Sequence, residues 1–211
     1  MSRLAYSPAC ERNREPILAV LGEVFSDRRS VLEVGSGTGQ HAVFFAAALS
    51  PLVWRTSDLP EHHAGILGWI RESGLENVRA PLPLDVSDTP WPALPPVDAA
   101  FSANTAHIMG WDAVCDMFAG LGERLPPEAP FCLYGPFNRA GRFTSESNRE
   151  FDASLRLRDP RMGIRDLGLL EKLAADTGFV LAADHAMPAN NALLVWRRTK
   201  KTPPEGGVET R

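Results

Sequence analysis

Short apolar runs alternate with stretches of helical spacing along most of the chain. Residues 30–34 (SVLEV) form an apolar run that ends in glycines and predict a strand. Residues 40–49 (QHAVFFAAAL) are apolar almost all round and predict a buried helix, closed by Ser50-Pro51. A second strand is predicted over 52–57. A helix follows over 61–73, with Ile66, Leu67, Trp69 and Ile70 on its apolar side and Gly74 as its stop. The third strand, 78–84, carries Pro81 and Pro83; prolines remove ladder donors, which places it at a sheet edge. A Pro-rich loop at 90–96 leads to a fourth strand at 97–102. A helix over 111–125 is broken by Pro126-Pro127, and a fifth strand occupies 131–134. The last helix, 166–176, has Asp166 as its cap and Gly178 beyond its end. Strands at 179–183 and 192–196 leave no room for a helix between them, so they predict an antiparallel pair. At the N-terminus, Pro16 is assigned to the first turn of a helix.

Strands alternating with helices predict an α/β fold with a mostly parallel sheet and helices on both faces. The closing antiparallel pair departs from the usual dinucleotide-binding plan, which ends on a parallel strand. The 211 residues suit one domain over 1–198, with residues 1–28 as a capping helix, 139–166 as an insertion or lid, and 199–211 as a disordered polar tail.

Composition narrows the function classes. With 22 basic and 26 acidic residues the formal charge is −4, which argues against a surface built to grip nucleic acid. The three cysteines (Cys10, Cys115, Cys132) are far apart and follow no metal-ligand spacing, so free thiols and a cytoplasmic setting are expected. Charges at Glu11, Arg12, Arg14 and Glu15 interrupt any apolar leader core. The longest uncharged run, 34–54, contains Gln40, His41 and three glycines and does not read as a membrane span. His62-His63 lack neighbouring ligand patterns, so no metal site is expected.

The strongest local signal is Val34-Gly35-Ser36-Gly37-Thr38-Gly39-Gln40, a strand running through Gly-x-Gly-x-Gly into a helix. Glycines let the backbone turn tightly and remove the Cβ atoms that would hold a ligand away. The Gly-Lys-Ser/Thr of a phosphate-binding loop is absent, and the third glycine comes one residue early for a dinucleotide fingerprint. With Glu33 two positions before the first glycine, the pattern resembles motif I of class I S-adenosylmethionine-dependent methyltransferases. The resemblance continues in order at Asp58, Asp85 and Asn104, each at the end of a predicted strand. It implies a seven-stranded sheet of order 3-2-1-4-5-7-6. It also implies S-adenosyl-L-methionine as cofactor, held by Glu33, Gly35, Ser36, Gly37, Gly39, Asp58, Leu59, Asp85, Val86 and Asn104. In the family the carboxylate after the second strand holds the ribose hydroxyls, and that after the third lies near the adenine amino group. Taken alone, Asp58 reads equally as a helix cap and Asp85 as a loop residue.

A closer resemblance spans residues 6–198. Tyr6-Ser7-Pro8-Ala9-Cys10-Glu11-Arg12-Asn13, Asn104-Thr105-Ala106-His107-Ile108, Tyr134-Gly135-Pro136-Phe137, Phe143-Thr144-Ser145-Glu146-Ser147-Asn148 and Met187-Pro188-Ala189-Asn190-Asn191 are similar to signatures of the methyltransferase-like 26 family. That likeness names no acceptor.

Methyl transfer from a sulfonium needs positioning and, for some acceptors, a base. Asn104 and His107 are the candidate catalytic residues, the second because an imidazole titrates near neutrality. Their other reading is a turn cap and a structural histidine. Arg12, Asn13, Tyr134, Asn138, Arg142, Arg165, Asn190 and Asn191 are candidates for acceptor binding, with core packing (Tyr134) and hairpin formation (Asn190, Asn191) as the alternatives. The 139–166 segment holds seven arginines against five acids, a local net of +2. It reads either as a lid for an anionic small-molecule acceptor or as a solvated helix with internal ion pairs. The main expectation is a metal-independent methyltransferase. The rivals are a cofactor-binding protein without transferase activity and, disfavoured by the glycine spacing, a nicotinamide-dependent enzyme. The oligomeric state is not legible.

Overall fold

The computed structural model describes residues 4–199. In chain order these form α1 (Pro8–Val24), β1 (Ser30–Val34), α2 (Gln40–Ala48), β2 (Val53–Asp58), a 3-10 turn (Pro60–His62), α3 (His63–Ser73), β3 (Val78–Pro83) and β4 (Ala99–Ala103). They continue with α4 (Trp111–Arg124), β5 (Pro130–Gly135), β6 (Phe137–Asn138), α5 (Glu146–Arg158), β7 (Arg165–Asp166), α6 (Leu167–Asp176), β8 (Phe179–Met187) and β9 (Asn191–Arg198).

Seven strands make one sheet of order β3-β2-β1-β4-β5-β9-β8. The first five are parallel and β9 is antiparallel to both β5 and β8. This is the expected order. Only the numbering shifts, because β6 and β7, a two-stranded parallel ladder, precede the terminal pair.

Burial explains the strand assignments. β1 reads as a continuous apolar run because both of its faces are covered: Val31, Leu32 and Val34 are all buried. Ile17 and Leu21 of α1 pack with Phe45, Trp54 and Phe101 on one side. Phe118 and Leu121 of α4 pack with Phe131, Phe179 and Trp196 on the other. β3 does lie at the edge, where its prolines cost no ladder bond. β8 forms the opposite edge and alternates between covered and wetter positions.

Two local expectations change. Pro8, not Pro16, occupies the first turn of α1; Pro16 lies inside a helix of 17 residues. The loss of one backbone donor there is outweighed by burial of Asn13, Ile17 and Leu21 along one face. Arg12 and Asn13 are therefore helical residues, not a flank. Of the polar tail, only Thr199 falls among the described residues, and its N–H donates to Gly178 O (2.9 Å); the rest lies outside them.

Candidate functional site

The sheet order reverses between β1 and β4, and ligands of open α/β sheets bind outside the carboxyl ends of the strands at such a point. The glycine loop begins there. Gly35, Gly37 and Gly39 all have positive φ (73°, 58°, 88°), each for a different reason. A Cβ on Gly35 would lie 2.6 Å from Thr105 Cγ2, and one on Gly39 would lie 2.9 Å from the α3 backbone at Ile66 Cα. A Cβ on Gly37 meets nothing within 4 Å, because that position opens into the cleft.

Glu33 braces the loop from behind. Its Oε2 accepts from Ser36 Oγ (2.9 Å) and Trp54 Nε1 (3.0 Å). The N–H groups of Gly35 and Ser36 both donate to Ser57 O at 3.0 Å. Burial pushes the Glu33 carboxyl up to about 7; the Trp54 and Ser36 donors oppose this and the Asp58 charge adds to it.

In front of the loop is a cleft of about 610 Å³, within the usual size of small-ligand sites. Gly35, Ser36, Gly37, Asp58, Leu59, Asp85 and Val86 line one end. Asp58 Oδ2 accepts from Gly37 N–H (2.7 Å) and Oδ1 from Leu59 N–H (2.8 Å), which leaves each oxygen a free lone pair. Asp85 is exposed, with Oδ1 accepting from Ser87 N–H (2.9 Å). Asn104 lies midway. It has φ 61°, uncommon for a residue with a side chain, and its N–H is held by Tyr134 O (2.9 Å). Beyond it come His107, Ile108, Met109, Ala113 and Phe151. His107 is buried, with the Phe151 ring against it edge-on at 5.3 Å. Burial, and then the Arg165 and Arg158 charges, push its pKa down to about 4, so the ring is neutral at pH 7.

Cofactor candidates Glu33 and Gly39 and all the acceptor candidates lie off the cleft lining. Asn13 Oδ1 is 2.7 Å from His41 Nε2, and His41 Nδ1 is 3.8 Å from Cys10 Sγ; this buried chain ties α1 to α2 behind the wall that Cys10 presents. Arg12 is exposed and Tyr134 is buried in β5. Asn138 Nδ2 donates to Ile164 O (3.5 Å), while its buried Oδ1 has no partner. Arg142 is exposed and bridges back to Arg139. Arg165 donates through Nε to Ala106 O (2.8 Å) and through Nη2 to Met109 O and Arg161 O. Asn190 O accepts from Asn148 Nδ2 (3.1 Å), and Asn191 Nδ2 donates to Pro188 O (3.1 Å) within the hairpin turn.

Sequence reasoning passed over Cys10, His41, His62, Met109 and Phe151 as lining residues. His62 Nε2 comes within 3.9 Å of Asp58 Oδ1, and His63 Nε2 donates to Asp58 O (3.0 Å). The one sequence signal for Ile108 and Met109 was their apolar character directly after His107. Among the described residues no group of three or more His, Cys, Asp or Glu could hold a metal ion.

A family model described as "Protein of unknown function (DUF938)" matches residues 4–198. Among solved structures, an O-methyltransferase family protein from Burkholderia thailandensis is similar (TM-score 0.78, 15% identity, covering 92% of this chain and 58% of that one). The S-adenosylmethionine-dependent methyltransferase SibL is similar as well (TM-score 0.76, 21% identity, 91% and 56%). So is NcsB1, an O-methyltransferase of neocarzinostatin biosynthesis in complex with S-adenosylmethionine and 2-hydroxy-5-methyl naphthoic acid (TM-score 0.71, 17% identity, 90% and 54%). The chain thus has the fold of class I S-adenosylmethionine-dependent methyltransferases and spans less than two thirds of the length of these structures.

Proposed function

The chain belongs to the family described as "Protein of unknown function (DUF938)", and we propose that it is a methyltransferase that uses S-adenosylmethionine to methylate a small molecule without a metal. The observation that carries this reading is the division of the cleft, with the open Gly37 and a half-free Asp58 at one end and Asn104 and His107 further along. The similarity of 6–198 to the methyltransferase-like 26 signatures supports it, and three free cysteines fit a cytoplasmic setting.

The residues fit the cofactor. Gly37 has no Cβ to fill the space at the loop, and the two free lone pairs of Asp58 suit a vicinal diol. Asp85 accepts from an amino group beside it, and Leu59 and Val86 offer apolar contact to a flat base. When bound, S-adenosylmethionine supplies an electrophilic methyl on a sulfonium, a leaving group that needs no protonation. Asn104 orients groups at mid-cleft. His107 is neutral at pH 7 and can orient the acceptor by accepting a hydrogen bond, but with its pKa lowered to about 4 it is a weak base, which removes the near-neutral titration that first suggested it. α5 covers the acceptor end as a lid through Phe151.

Titration calorimetry with S-adenosylmethionine tests the reading. Wild type binds, Gly37→Arg abolishes binding and Asp58→Ala weakens it; a silent wild type or unweakened variants refute it. Incubation with methyl-labelled cofactor and a metabolite extract then separates a transferase, which yields a labelled small molecule, from a binding protein, which yields none.

A further inference from the structure

The two ends of the cleft differ in charge. Asp58 and Asp85 lie at the glycine-loop end, whereas His107, Ile108, Met109, Ala113 and Phe151 bring no formal charge to the other. Ile108 and Phe151 stay 45% and 39% exposed while facing this shared opening, an apolar surface left uncovered among the described residues.

The arginines around it are unequal. Arg139, Arg149, Arg156 and Arg161 are each ion-paired, to Asp184, Glu146, Asp152 and Asp159. Among the described residues this leaves Arg142, Arg158 and Arg165 without an acid. Arg165 spends its fork on the carbonyls of Ala106, Met109 and Arg161, so it holds the cleft wall while its charge stays unneutralised. Arg142 and Arg158 both lie off the lining, and Arg142 is turned back to the Arg139 bridge. Arg158 is exposed and lies seven residues after Phe151, two turns along the same side of α5, with buried Leu155 between them. Its charge and that of Arg165 both reach His107.

Resting on the methyltransferase reading, we propose that the acceptor is an aromatic small molecule carrying one negative charge, its ring held between Phe151 and the Ile108–Met109 wall and its anion directed to Arg158. A guanidinium is a strong partner for a carboxylate, and the neutral imidazole beside it neither competes for the anion nor repels the ring. A polar, uncharged acceptor would leave both the apolar wall and the free guanidinium unused.

The test uses protein saturated with S-adenosylhomocysteine and titrated with 4-hydroxycinnamate, its neutral amide and propionate. The aromatic anion binds about three- to five-fold tighter than the amide, and the preference shrinks with added salt because Arg158 is exposed. Propionate, with the charge but no ring, does not bind measurably. Arg158→Gln brings the two ring compounds to the same affinity and keeps that for S-adenosylhomocysteine, and Phe151→Ala weakens both by a similar factor. Equal affinities in wild type, a preference that survives Arg158→Gln, or no uptake of either ring compound overturns the proposal. Failure of S-adenosylhomocysteine itself to bind overturns the methyltransferase reading, a distinct result seen before any ring compound is added.

Discussion

At the scale of single residues, Asp58 and Glu33 lie close together yet have different partners. Asp58 accepts two backbone N–H groups and keeps a lone pair on each oxygen for a ligand. Asp58→Ala is expected to weaken S-adenosylmethionine binding by roughly ten- to a hundred-fold, since a hydrogen bond to a charged group contributes about 1.5–3 kcal/mol; calorimetry reads this directly. Glu33, raised from 4.5 to about 7, holds its proton in the folded chain over a range where the unfolded chain has released it. Raising the pH from 4.5 to 7 therefore favours unfolding, by roughly 3 kcal/mol over the full range. His41 and His107, lowered from 6.5 to about 4, act in the opposite direction: the unfolded chain takes up their protons first, so stability is lost as the pH falls through that window. In Glu33→Gln the opposing contribution disappears. Urea melts at pH 5 and 7.5 should then show a larger gain in stability with pH than wild type shows; an unchanged gain would mean that Glu33 is ionised in the folded chain throughout.

At the scale of elements, the strand–loop–helix unit around β1 separates the roles of its glycines. Gly39→Ala forces a Cβ against the α3 backbone at 2.9 Å, so α3 must shift, and a large fall in melting temperature is expected. Gly37→Ala meets open space, costs only about 1–2 kcal/mol for its left-handed backbone, and places a methyl in the cleft. It should lose more cofactor affinity than stability, the reverse of Gly39→Ala, as thermal melts paired with calorimetry would show. All three glycines were legible as a motif. Their division of labour was not, because Thr105 and Ile66, which decide it, are 70 residues from Gly35 and 27 from Gly39 along the chain. The strands were legible for a simpler reason: an apolar run such as β1, covered on both faces, is visible without knowing its partners. β6 and β7 were not, since two-residue strands carry no periodicity and are defined only by each other.

At the scale of the whole molecule, Arg165 joins distant parts. It carries the loop between β4 and α4 on β7, and Gly163 N–H adds a bond to His107 O (2.9 Å). Arg165→Ala leaves several carbonyls short of a donor and should cost about 1–3 kcal/mol, with faster amide exchange over residues 104–110 in hydrogen-exchange mass spectrometry. Arg142→Ala, at an exposed position, is expected to stay within about 0.5 kcal/mol of wild type. Equal effects from the two would remove Arg165 from its supporting role.

The chain by itself determined the alternation of strands and helices and the β1–loop–α2 unit, because each depends on local patterning, namely apolar runs and glycine spacing; the sheet order and the carboxylates at strand ends followed only from the resemblance to a known family. Only the tertiary structure decided which arginines of the 139–166 segment lack an acid among the described residues and which apolar side chains meet across the far end of the cleft. Ion pairing and shared exposure are relations between α5, the β4–α4 loop and β7, and a count of seven arginines and five acids does not contain them.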